Sequence, residues 1–170
     1  PFARRTAAVR DYLAELMRVD MRSFDPDSPL HYQARVRMVD GASFGSVHTS
    51  SVISCRTNLL LKDGQDDLLL CMPEMDTVLE IPGKGEMTIR PGDAFLLSSA
   101  REMRLIIRGS GRLCGMRIPR KAVTPILPRL GSAPAMHIRR GTPLLSLLTR
   151  YVGLLEDEPL IGSLAQQTAA

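Results

Sequence analysis

The chain has 170 residues, 44% of them apolar and 24% charged, with a net charge of +4. That balance suits one soluble domain with its own core. No apolar run approaches the roughly 20 residues that cross a bilayer, and Cys55, Cys71 and Cys114 lack metal-ligand or redox-motif spacing, so neither a membrane-spanning helix nor a cysteine-bound metal or redox centre is expected.

The first ten residues, PFARRTAAVR, carry two arginines with no apolar stretch behind them and no initiator Met. They are no secretion signal, and they read as the start of an excised or processed piece. Thr6 to Arg18 places Val9, Tyr12, Leu13, Leu16 and Met17 on one face at helical spacing, which predicts an N-terminal helix over 6–18 packed on a core. FDPDSP (24–29) is a loop by composition.

From His31 the period changes to two. Tyr32, Ala34, Val36 and Met38 alternate with Gln33, Arg35 and Arg37, and Asp40-Gly41 marks a turn. Phe44 to Asn58 reads as one long bent strand or two short ones, and Leu68 to Met72 as a strand buried on both faces. In VLEIPGKGEMTIRPGDAFLLSSAREMR (78–104), Pro82-Gly83 and Pro91-Gly92-Asp93 separate alternating runs. Pro presets φ at the second turn position and Gly takes positive φ at the third. Leu105-Ile106-Ile107 and Leu113 to Ile118 complete about eight strands within 31–118. Beyond Pro119 helices are expected. The clearest starts at Thr142-Pro143, with Thr as N-cap and Pro at the first helical position, and another starts at Leu160.

The charge pattern does not point to nucleic acid. Nearly all the positive charge is scattered arginine, with lysine only at 62, 84 and 121, and 4% aromatic residues leave few stacking platforms. The arginine bias fits a GC-rich bacterial genome. The cysteines, in apolar strand-like contexts, read as small buried hydrophobes of a reducing, cytoplasmic compartment. No Gly-x-Ser-x-Gly, Ser-x-x-Lys or phosphate-cradling glycine loop occurs.

The order of these segments resembles the regulatory half of AraC/XylS-type transcriptional regulators. The resemblance is carried by Phe44-Gly45-Ser46-Val47-His48, by Arg56-Thr57, by Gly85 through Leu97 with its Pro-Gly-Asp turn, and by Met116-Arg117-Ile118-Pro119-Arg120, followed by leucine-rich helices. It implies a mainly β, cupin-like double-stranded β-roll over 31–118, with one helix before it and two or three after it in a dimerisation segment, 119–170. All of 1–170 is then one regulatory domain, and a DNA-binding helix-turn-helix domain is expected after residue 170. The resemblance also implies a small-molecule effector, a homodimer, DNA contact only through the downstream domain, no membrane and no cofactor.

Metal-dependent cupins use His-x-His with a later histidine. Here His31, His48 and His137 are the only histidines and form no such pair, so no metal site is expected. A metal-free isomerase or epimerase with His48 as its acid–base group is the alternative, and a ligand-free dimerisation scaffold is a third. The expectation is a protein that is not an enzyme. Candidate ligand contacts are Arg56, His48, Met72, Met87, Ile89 and Met103, the methionines being equally suited to filling a core poor in aromatics. The phase of the Arg56 strand is open: turned inward, Arg56 meets an acidic side chain or a ligand carboxylate. Leu144, Leu147, Leu148, Tyr151, Leu155 and Leu164 are candidate dimer contacts, because the helix from Thr142 is apolar on more than one face. The same residues alternatively bury each other against the roll, or lie under a downstream domain.

Overall fold

The computed structural model describes residues 19–39, 41–128, 130 and 135–157. In chain order they form β1 (Asp20–Ser23), β2 (Tyr32–Val39), β3 (Ala42–Thr49), β4 (Val52–Arg56), a 3-10 turn (Leu60–Asp63), β5 (Leu68–Pro73), β6 (Thr77–Ile81), β7 (Gly85–Ile89), β8 (Ala94–Ser98), β9 (Met103–Ile107), β10 (Gly111–Ile118), α1 (Arg120–Val123), β11 (Ala135–Ile138) and α2 (Pro143–Asp157). The predicted helices over 6–18 and from Leu160 lie outside the described residues, as do Leu164 and the side chain of Leu155. Among the described residues, no helix is long and apolar enough to cross a membrane.

The chain is mainly β, in two antiparallel sheets. One has the order β1-β4-β9-β6-β7 and the other β11-β8-β5-β10-β3-β2. Between them lies a core to which the first sheet gives Val52, Leu79, Ile89, Leu105 and Ile107, and the second Val47, Phe95, Leu97 and Leu113. The stretch from Phe44 to Asn58 is two strands in different sheets, broken at Ser50-Ser51. Serine suits that corner because its hydroxyl caps backbone donors. Ser50 Oγ accepts from the His31 N–H at 3.1 Å, and Ser51 Oγ from the Gly109 N–H at 2.9 Å.

Both Pro-Gly turns form as their chemistry requires. Lys84 N–H donates to Ile81 O at 2.9 Å across Pro82-Gly83, and Asp93 N–H to Arg90 O at 2.9 Å across Pro91-Gly92. Gly83 and Gly92 sit at φ +75° and +87°, where a Cβ is disfavoured.

The segment 119–170 is not wholly helical. It contains β11, which pairs with β8 from Ala135↔Leu97 to Ile138↔Ala94, and α1 is a single turn. A second strand outside the predicted set, β1, pairs with β4. Both are four residues long, too short for sequence periodicity to give a signal, and the neighbouring strand's open backbone groups decide them.

The alternation of the second sheet separates two environments. Leu70 and Met72 of β5 pack on its outer face with Ala94, Leu145 and Val152, while Leu69 and Cys71 turn inward. Helix α2 covers the outer face with Leu145, Leu148 and Val152, at i, i+3 and i+7. Leu145 is 5% exposed and Val152 1%. Burial of that kind stabilises by about 1.5–3 kcal/mol per side chain.

Candidate functional site

A cavity of about 110 Å³ opens between the sheets, against the inner face of β2, β3, β5 and β10. Its cause is one row of small side chains. Val36 pairs with Gly45, Gly45 with Gly115, and Gly115 with Cys71. Two glycines and a cysteine in the middle of a sheet leave its inner surface hollow.

The two glycines differ in kind. A Cβ on Gly45 would stand 1.9 Å from Arg35 O and 3.0 Å from Val36 Cα, so the crossing of β2 over β3 demands glycine there. A Cβ on Gly115 meets nothing closer than Leu70 O at 3.6 Å. Packing does not require glycine at 115, and its effect is to hollow the cavity.

Most of the wall is apolar, with Val36, Val47, Leu69 and Leu113 among the lining residues. Polar groups gather at one end: Arg56, Gln65, Ser99, Ser43 and Arg117. Arg56 points inward and is 1% exposed. Its Nη2 and Nη1 donate to Asp63 Oδ1 and Oδ2 at 2.8 and 3.2 Å, and its Nε to Ser99 O. The buried guanidinium is thus neutralised by a carboxylate from the 3-10 turn. Two more such pairs fasten the segment between β4 and β5 over this end. Arg120 Nε lies 3.0 Å from Asp66 Oδ2, and its Nη2 donates to Ser98 Oγ at 2.6 Å. Arg117 Nε lies 3.6 Å from Asp67 Oδ2, too far for a hydrogen bond, and this nitrogen is buried with no hydrogen-bond partner.

Cys71 lines the cavity, and burial pushes its thiol up to about 12. None of the cysteines is in a disulfide.

Of the other sequence candidates, Met72 lies on the outer face under α2, where Thr149 Oγ1 donates to its sulfur at 3.6 Å. His48 is exposed, on the same outer side of β3. Ile89 and Met103 are core residues, and Met87 packs half-buried beside them. The structure therefore brings Arg56 to the cavity and leaves those five outside its lining. Sequence reasoning missed Val36, Gly45, Leu69, Gly115 and Arg117. The signal was the inward phase of β2: once Val36 faces inward, register carries Gly45 and Gly115 with it.

A second polar cluster ties the cavity sheet to the approach to α2. Asp93, in the Pro-Gly-Asp turn, accepts from the Arg140 N–H at 2.8 Å and the Arg90 N–H at 3.3 Å, and lies 2.9 Å from His137 Nε2. Burial pushes its carboxyl up, but the bonds from Arg140, His137 and Arg90 outweigh it and hold the carboxyl below its ordinary range. Among the described residues, no group of three or more His, Cys, Asp or Glu is placed to hold a metal ion.

On α2 the face away from the sheet is uncovered by described residues. Leu144, Leu147, Tyr151 and Leu154 are 74%, 65%, 54% and 66% exposed, at i, i+3, i+7 and i+10. Leu148 instead turns to the sheet.

A family model described as AraC-binding-like domain matches residues 7–170. Among solved structures, the AraC-like transcriptional activator CuxR superposes with a TM-score of 0.76 at 17% identity, over 89% of this chain and 55% of that chain. The chain thus spans about half the length of that relative. At this identity the likeness speaks for the fold. The Clostridium difficile EutQ protein (TM-score 0.41, 9% identity, 58% of this chain and 74% of that one) and an apo form of ToxT from Vibrio cholerae (TM-score 0.42, 13% identity, 80% and 46%) are too distant to carry an argument. Among curated proteins nothing matches the chain.

Proposed function

The chain belongs to the AraC-binding-like domain family, and from that premise we propose that it is the effector-sensing and dimerisation domain of an AraC-type bacterial transcription regulator, cupin-like in fold and cytoplasmic, acting on a DNA-binding domain further along the polypeptide. One observation carries the reading. Strands β5 and β10 line the cavity with Leu69, Cys71 and Gly115, and their alternate residues Leu70, Met72, Cys114 and Met116 pack in the cluster that seats α2. A molecule that shifts these strands from inside moves the floor beneath the helix. Packed interfaces answer such shifts by choosing between arrangements, and a ligand biases them by its difference in affinity.

The uncovered stripe on α2 supports a homodimer as the output. Four large apolar side chains at coiled-coil-like spacing form the kind of seam that a second copy buries. A two-fold arrangement brings the same stripe from each copy together.

A sensor is favoured over an isomerase by what faces the cavity. Guanidinium groups do not give up protons in proteins, and the Cys71 thiol is held protonated. His48, the acid–base candidate, stands on the opposite side of the sheet. None of the described lining residues is suited to moving a proton near neutral pH.

The test is a stabilisation screen of small molecules on the wild-type chain and on Gly115→Leu, which fills the hollow. Ligands that bind the native state raise its apparent stability. The expected result is a set of compounds that stabilise the wild type and leave Gly115→Leu unchanged. If every stabilising compound acts equally on both proteins, the cavity is not the effector site.

A further inference from the structure

We infer that the cavity takes a small apolar monocarboxylic acid, its carboxylate held by Arg117 and Ser43 in place of Asp67. This rests on the effector-site reading above and narrows it to one ligand chemistry.

The argument starts from an unmet demand. Arg117 Nε is buried and makes no hydrogen bond, and the nearest carboxylate oxygen, on Asp67, stays at 3.6 Å. Directly across the β3–β10 pair stands Ser43, which lines the same cavity. Its hydroxyl makes no hydrogen bond to the described residues. Two adjacent donors thus lie at the polar end of an otherwise apolar space. A buried donor left unpaired is costly, and a carboxylate, with two acceptor oxygens, suits a guanidinium and a neighbouring hydroxyl together.

The neighbouring cations are already engaged. Arg56 is bonded to Asp63 and Ser99 O, and Arg120 to Asp66 and Ser98. Only in the Arg117–Asp67 pair is the contact too long for a hydrogen bond, so that is where an incoming carboxylate competes best. Size sets the rest of the ligand. The cavity measures about 110 Å³, somewhat below the ~150 Å³ that admits benzene in an engineered apolar site. A body of about four carbons is therefore the upper range, lying along Val36, Gly45, Leu69 and Gly115.

The probes are pentanoate and 2-methylbutanoate against pentanamide and 2-methylbutanamide, which keep the shape and lose the charge. Affinities are measured calorimetrically at neutral pH on the wild type, Arg117→Met, Asp67→Asn and Gly115→Leu. The acids are expected to bind the wild type on the order of 10–100-fold more tightly than the amides. Arg117→Met removes that preference, and Asp67→Asn, by deleting the competing carboxylate, tightens acid binding severalfold. A gain of affinity in Asp67→Asn is not something misfolding produces. Amides that bind as tightly as the acids overturn the inference and leave the sensor reading standing. So does an absence of binding by all four probes, provided other compounds stabilise the wild type and not Gly115→Leu. If nothing distinguishes the wild type from Gly115→Leu, both readings fall.

Discussion

Breaking the Arg56–Asp63 pair should cost more from the carboxylate side than from the arginine side. Arg56 is 1% exposed and Asp63 14%. Asp63→Ala takes the bidentate carboxylate away from a fully buried guanidinium, and it also removes the acceptor for the Gln65 N–H, bonded at 2.8 Å. Removing one partner of a buried pair costs about 3–5 kcal/mol, and the upper end applies here. Arg56→Met fills much of the same volume with an apolar chain and leaves a carboxylate that reaches water, so a loss of about 2–4 kcal/mol is expected. For a chain of this size, each kcal/mol lowers the melting temperature by about 2–4 °C. The assay is urea unfolding of the wild type, both single variants and the Arg56→Met/Asp63→Ala double variant. The double variant should be destabilised by at least about 2 kcal/mol less than the sum of the singles, because the pair is lost only once. A coupling below about 0.5 kcal/mol would refute the reasoning, since that is the range of solvent-screened surface pairs.

Other outcomes follow from single contacts. Gly45→Ala places a methyl group against the backbone at Arg35 and should destabilise by on the order of 3 kcal/mol, whereas Gly115→Ala should change stability by about 1 kcal/mol or less; equal effects would show that the strand crossing is not the constraint. Asp93 has its pKa lowered in the folded state, so its contribution is complete above the unfolded value of about 3.9 and is lost as pH falls through the lower, folded value. Urea midpoints from about pH 6 to pH 2 should fall less steeply for Asp93→Asn than for the wild type, and parallel profiles would count against the Arg140–His137–Asp93 cluster. Leu147 is 65% exposed, so Leu147→Glu should leave folding stability within about 0.5 kcal/mol while converting a sedimenting dimer to monomer. A wild type that stays monomeric at high concentration would remove the dimer from the proposal.

Most of the strands were legible because their apolar residues recur at a period of two and their turns carry Pro-Gly or Asp-Gly, signals that need no partner to be read. The helix from Pro143 was legible for the same reason, in its N-terminal Pro and leucine spacing. The strands β1 and β11 were not, since each exists by pairing with a neighbour far along the chain. The site was less legible than the fold. Arg56 was singled out, but which way it points depends on the phase of β4 within a sheet, and alternation alone leaves two choices. Met72 and His48 fall on the outer face by that same phase. The cavity is made by Gly45 and Gly115, seventy positions apart by their numbers, and only register sets them side by side. Turn chemistry and periodicity act within a few residues, so the local structure, a β body with a leucine-rich helix after it, is readable from the order of amino acids alone. The tertiary structure decided what is inside, because burial, ion pairing and the hollow between two glycines depend on which distant residues become neighbours.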